Sequence, residues 1–240
     1  MLMIQTFLQK YKEAFGDTAP LPIAFGYSDV PEAEVKKIPR CIIGNIRKVC
    51  DGESLTLSKE NVTCGGGGLY TAFAPMQERI PVFVSETEHY KQTPEQVKEY
   101  IEGLDIHPTE KPYLNFVRMD RISSLDDVEG ILFFATPDVL SGLCSWAFYD
   151  NNDEDAVTAK FASGCCSIVT FATRENRNKG RRCFIGMLDP SARPLVPANE
   201  LSFVIPTCRF REMVQTMEDS ALFRKAYSIV RKRIVGEIGK

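Results

Sequence analysis

Histidine is the scarcest reactive residue in this chain. Its 240 residues hold only two, His89 and His107. A histidine-rich metal centre is therefore excluded, and a Cys–His pair would rest on two side chains that both sit in polar, loop-like sequence. No G-x-S-x-G occurs, which removes the nucleophile elbow of serine hydrolases. The eight cysteines, at 41, 50, 64, 144, 165, 166, 183 and 208, are nowhere spaced C-x-x-C, so zinc ribbons, thioredoxin-like sites and ferredoxin runs lack their signature. No stretch of about 18 apolar residues exists to span a bilayer. The N-terminus has no basic region ahead of a long apolar core and does not read as a secretory signal. Basic residues are not in excess: the net charge is −3 and the pI about 5.6, which gives no overall reason to bind nucleic acid or acidic lipid. These absences lead us to expect a cytoplasmic chain with reduced cysteines and neither nucleic acid nor membrane as a partner.

What is present is an ordinary globular composition, 44 % apolar and 25 % charged, enough to bury a full core. Ile4, Phe7, Leu8, Tyr11, Ala14 and Phe15 define a first helix stopped by Gly16. Strands are expected at 23–27, 54–57, 82–84, 113–119, 131–135, 156–161, 183–188 and 201–205. Helices are expected from Cys41 to Val49, after the Thr93-Pro94 cap up to Gly103, after Thr136-Pro137, and from Cys165 through Phe171. Two apolar stripes close the chain. One is Phe210, Met213, Val214 and Met217; the other is Leu222, Ala226, Ile229, Val230 and Ile234.

The expected fold class is α+β (mixed α/β), a single domain over 1–240 with C-terminal helices. Strand–helix–strand order followed by cysteine and glycine recurs, with gaps of 23 residues from Cys41 to Cys64 and 21 from Cys144 to Cys165. This suggests pseudo-symmetric halves at 20–120 and 121–218, followed by a helix at 219–238. The last apolar stripe is a candidate surface for homo-oligomer formation.

The most unusual segment is Cys64-Gly65-Gly66-Gly67-Gly68. Four consecutive glycines cost conformational entropy, so they read as a loop whose bare N–H groups cradle an anion, or as a ligand-free turn. No Lys-Ser/Thr follows them, so the segment is not a Walker A loop. Cys64 beside them is the candidate catalytic thiol, since backbone dipoles favour the nucleophilic thiolate. Cys165 and Cys166 form a vicinal pair among small residues, suited to close approach by a ligand or by another part of the backbone. Cys41, Cys64, Cys144 and Cys165 would make a thiolate metal or iron–sulfur site only if the halves face one another; no metal ligand is assigned. Arg193, in a turn-rich segment, is a candidate clamp for a carboxylate or phosphate. The cluster Arg174, Arg177, Lys179, Arg181 and Arg182 reads as a solvated loop.

The motifs Pro22-Ile23-Ala24-Phe25, Cys41 opening a helix, Cys64-Gly65-Gly66-Gly67, Gly164-Cys165-Cys166, the 186–193 turn and Glu200 to Pro206 together resemble an uncharacterised archaeal cysteine-rich family, domain of unknown function number 169, over about 22–217. The resemblance implies no activity and no catalytic residue. The expected function is binding of a small anionic ligand or cofactor, of unknown identity, through Gly65, Gly66, Gly67, Gly68, Cys165, Cys166 and Arg193. The alternatives are a cysteine-thiolate enzyme or redox protein, or a metal or iron–sulfur protein.

Overall fold

A computed structural model describes residues 2–238. The expected single domain also takes in Met1, Gly239 and Lys240, which lie outside them. The apolar runs become strands β1 (Ile23–Ser28), β2 (Leu55–Ser58), β3 (Tyr113–Arg118), β4 (Gly130–Ala135), β5 (Val157–Thr158), β6 (Cys183–Gly186) and β7 (Leu201–Pro206). They form one mixed sheet in the order β2-β3-β1-β4-β7-β6-β5. Only the β5–β6 pair is parallel. Helices cover both faces, and the chain is one compact α+β domain with helices at its C-terminus.

β4 lies mid-sheet and is buried on both sides, which is why its sequence is an unbroken apolar run. Alternate side chains enter different cores. Leu132 and Phe134 join Phe25, Phe116, Phe184 and Val204 on the first face. Ile131 and Phe133 join Phe203 and Ile205 on the second. The first face carries α2 (Ile43–Lys48), α3 (Gly65–Tyr70), α5 (Pro94–Glu102) and α7 (Phe171–Arg177). The second carries α1 (Leu2–Phe15), α6 (Pro137–Phe148), α8 (Thr207–Thr216) and α9 (Lys225–Ile234). Trp146, on α6, donates its indole N–H to the Met213 carbonyl at 2.9 Å, so its one polar atom is satisfied inside the second core.

Several elements differ from the sequence-based expectation. The segment 82–84 is helical: α4 (Arg79–Val82) runs into a π-helical turn, Phe83–Thr87. Ile80, Pro81 and Ser85 point inward while Val82 and Phe83 are exposed, which is a helical periodicity and not a strand alternation. The strand expected at 156–161 shrinks to Val157–Thr158, the only residues there that pair with β6. β6 stops at Gly186 because Met187 takes a left-handed backbone, φ 62°.

β1 and β4, one from each of the expected halves 20–120 and 121–218, pair at the middle of the sheet. α2, following β1, lies on the first face, and α6, following β4, on the second. The final apolar stripe is largely spent within the molecule: Leu222, Val230 and Ile234 pack on the second core and Ile229 faces out. Among the described residues, no helix is long and apolar enough to cross a membrane.

Candidate functional site

The four glycines do not form a loop. They are the first turn of α3, with Cys64 as its N-cap. The Cys64 thiol accepts from the Gly67 N–H at 3.5 Å, and its carbonyl accepts from Gly68 N–H at 2.9 Å. Two of the N–H groups expected to face a ligand are therefore already used. None of the four takes a positive φ; the glycines that do are Gly16, Gly52 and Gly236 among the described residues. Each helical glycine costs about 1 kcal/mol relative to alanine, so packing or a ligand has to justify them. Packing justifies two. A Cβ on Gly67 would stand 3.0 Å from Val62, and one on Gly68 would stand 3.3 Å from Ala74. At Gly66 the nearest atom would be the Tyr70 ring at 3.6 Å, an ordinary contact. The protein itself leaves that position room.

Gly66 and Gly67 form one wall of a cleft of about 190 Å³. Opposite them lie Phe161 to Cys165, which lead into a second π-helical turn, Cys166–Thr170. The first π-helical turn contributes Phe83 and Val84, and the segment after it adds Glu88, Tyr90 and Lys91. A left-handed backbone at His89, φ 56°, lies between Glu88 and Tyr90. Asp189 and Ser191 close the inner end, Cys41 joins from the start of α2, and Tyr100 joins from α5. π-Helical turns are rare and concentrate at functional sites; here two border one cleft. Gly164 is needed for tight packing, because a Cβ there would meet Ile43 at 3.0 Å and Met187 sulfur at 3.1 Å.

The lining is mainly apolar and aromatic, and Phe83 and Phe161 at the mouth are 51 % and 46 % exposed. Cys64 is exposed, Cys41 half-buried and Cys165 buried. The Cys165 thiol donates weakly to the Gly66 carbonyl at 3.9 Å and lies 3.5 Å from the Ser163 hydroxyl, which ties the two cysteine-bearing segments together. Burial raises the Cys165 and Cys41 thiols above the ordinary cysteine range, against smaller opposing contributions from the Ser163 hydroxyl and the Ile43 N–H respectively. Cys166 does not line the cleft and is pushed up to about 12 by burial, against smaller opposing contributions from the Thr170 and Tyr100 hydroxyls. Glu88 is raised by burial and then by the charge of Asp189.

The cleft thus unites Cys64, Gly66, Gly67 and Cys165 from the expected set, with Cys41. Gly65, Gly68 and Cys166 lie beside it without lining it. Arg193 is turned elsewhere: its guanidinium donates to the carbonyls of Ala198 at 2.8 Å, Glu200 and Pro197, and clasps its own turn. Cys144 packs against the second core, on the other side of the sheet from Cys41, Cys64 and Cys165. Among the described residues, no three His, Cys, Asp or Glu side chains are placed to hold a metal ion. Neither histidine lines the cleft. The basic cluster is dispersed into ion pairs: Arg177 with Asp105, Arg181 with Asp150 and Glu212, and Arg182 with Glu175.

Sequence reasoning missed Glu88, Tyr90, Lys91, Tyr100, Phe161 and Asp189. Only Asp189 carried a signal. It opens the Asp-Pro-Ser turn, where its Oδ1 accepts from the Ser191 N–H and hydroxyl.

The fold and cleft define the class: a single-domain α+β protein with a thiol-bearing, largely apolar cavity on one face of its sheet. The chain belongs to the uncharacterised ArCR family, domain of unknown function number 169, whose profile matches residues 17–216. No curated protein and no solved structure matches the chain.

Proposed function

We propose that this protein binds a small organic molecule in the cleft between α3 and the 161–165 segment, with its body against Phe83, Tyr90, Tyr100 and Phe161. The observation that carries this reading is Gly66. A glycine there weakens the helix, the protein has room for a side chain, and the space left open faces the cleft. The size fits: an apolar cavity of about 150 Å³ already takes up a benzene-sized molecule, and this one has about 190 Å³. Larger hollows exist; in the one of about 930 Å³, Arg47 and Arg233 are committed to ion pairs with Glu200 and Asp138.

Native mass spectrometry of protein purified without oxygen tests the proposal. A non-covalent adduct lost on Gly66→Leu is expected. A bare mass, together with no shift of cleft resonances on titrating small aromatic molecules, would refute it.

A second reading is favoured by one observation. Cys64 places an exposed thiol at the rim, with Cys41 and Cys165 lining the same cleft. In that reading Cys64 is a nucleophile or redox centre. Alkylation of Cys64 slowed by a cleft occupant, with Cys144 and Cys208 unaffected, supports it. Alkylation at equal rates at all three, with or without an occupant, removes it.

A further inference from the structure

Among the described residues, three carboxylate side chains are buried to more than nine-tenths: Glu175 at 1 %, Asp189 at 4 % and Glu200 at 7 % exposure. A buried carboxylate without a cation is costly, and two of the three are paired. Glu175 accepts from Arg182 through both oxygens, at 2.9 and 2.8 Å. Glu200 accepts from Arg47 in the same manner, at 2.8 and 3.1 Å. Asp189 has no ion-pair partner among the described residues. Its Oδ1 accepts from the Ser191 N–H at 2.9 Å and the Ser191 hydroxyl at 2.7 Å, both neutral donors. Its Oδ2 has no donor among the described residues, and the residue lines the cleft. Glu88, Tyr90, Cys41 and Tyr70 line the same cleft around it.

Glu88 adds a second carboxyl and likewise forms no ion pair among the described residues. The one cationic side chain of the lining is Lys91. It is exposed, and its ammonium stands over the Tyr100 ring, 5.4 Å from the centroid. The anion clamp expected from Arg193 is committed to backbone carbonyls. The interior therefore offers an unpaired acceptor and aromatic walls, an arrangement that complements a positive, hydrogen-donating group on a flat apolar body.

Resting on the reading of the cleft as a small-molecule site, we propose that its ligand is an organic cation, a primary amine or amidine on an aromatic or similarly flat body. Asp189 Oδ2 receives the charged group, and Phe83, Tyr90, Tyr100 and Phe161 receive the body.

The test compares benzylammonium, benzyl alcohol and benzoate, which share one ring and differ in the head group, by titration into the full-length protein followed by chemical-shift perturbation. Benzylammonium is expected to bind at least about tenfold more tightly than benzyl alcohol, the contribution of a hydrogen bond to a charged partner, and benzoate more weakly than either. Asp189→Asn keeps an oxygen for the Ser191 turn and should erase the preference for benzylammonium over benzyl alcohol. Glu88→Gln, at the more open end, should produce a smaller loss and serves if Asp189→Asn does not fold. Equal binding of all three probes would overturn the cation assignment and leave the site standing. Tightest binding of benzoate would overturn it in favour of an anionic ligand at Lys91. Shifts from none of the three at millimolar concentration would overturn both the assignment and the site.

Discussion

At the residue scale, Gly66 separates a structural from a ligand role most sharply. A Cβ there meets only an ordinary contact, and alanine is the better helix former by up to about 1 kcal/mol. Gly66→Ala should therefore raise the free energy of unfolding in urea by about 0.5–1 kcal/mol while narrowing the cleft and weakening its occupant. Gly67→Ala should lower it, because Val62 is already at 3.0 Å. A stabilising Gly67→Ala would show that the glycines are not held by packing. The cysteines differ as clearly. With maleimide at neutral pH, peptide mapping should find Cys64 modified first and Cys41, Cys144 and Cys208 more slowly. Cys50, Cys166 and Cys183 should remain unreacted in the folded protein, since burial both shields them and holds them protonated.

At the element scale, α6 and α8 are joined by a buried charge. Arg209 is fully buried and donates to Asp150, to Glu212 at 2.8 Å and to the Ala147 carbonyl at 3.2 Å. The Arg209 guanidinium holds the Asp150 carboxyl below the ordinary aspartate range. A carboxyl lowered in the folded state stabilises above its unfolded pKa, and this contribution is lost as pH falls through the folded value. Stability should therefore decline below about pH 4, and Asp150→Asn should flatten that decline. The same variant at neutral pH strands Arg209 with Glu212 alone, at an expected cost of about 3 kcal/mol in chemical denaturation. An Asp150→Asn protein as stable as the wild type would mean that Glu212 suffices.

The elements best predicted are those whose local signals agree. Thr93 caps α5 by accepting from Gln96 N–H at 3.3 Å, with Pro94 in the first turn. Gly16, φ 78°, ends α1. Those missed had conflicting signals. Val82-Phe83-Val84 is β-branched and aromatic, yet burial of Ile80, Pro81 and Ser85 selects a helix, because packing overrides propensity in a short segment. The four glycines disfavour a helix by composition, yet Cys64 caps one and Val62 and Ala74 pack against it.

At the scale of the whole molecule, one seven-stranded sheet separates two cores that share every central strand. Neither core can dissolve while the sheet stands, so the two should unfold together. Trp146 fluorescence reports the second core and alkylation of Cys166 reports the first. Their urea midpoints should coincide. A separation of the two curves would show that the first face, with its cleft, opens on its own.

The sequence by itself determined the α+β class, the strands that build the centre of the sheet, the helices with strong caps, and the family. It also singled out Cys64, the glycines and Cys165, because each of these is a matter of local pattern or residue type. The tertiary structure alone decided that Cys41 joins them and that Cys144 does not. It decided that Arg193 serves its own turn, and that Glu88, Tyr90, Tyr100 and Asp189 face the same space. The physical reason is that β4 runs antiparallel to β1 in a single sheet and the helices following the two strands cross on opposite faces. Which face a helix covers depends on long-range pairing, and no spacing along the chain records it.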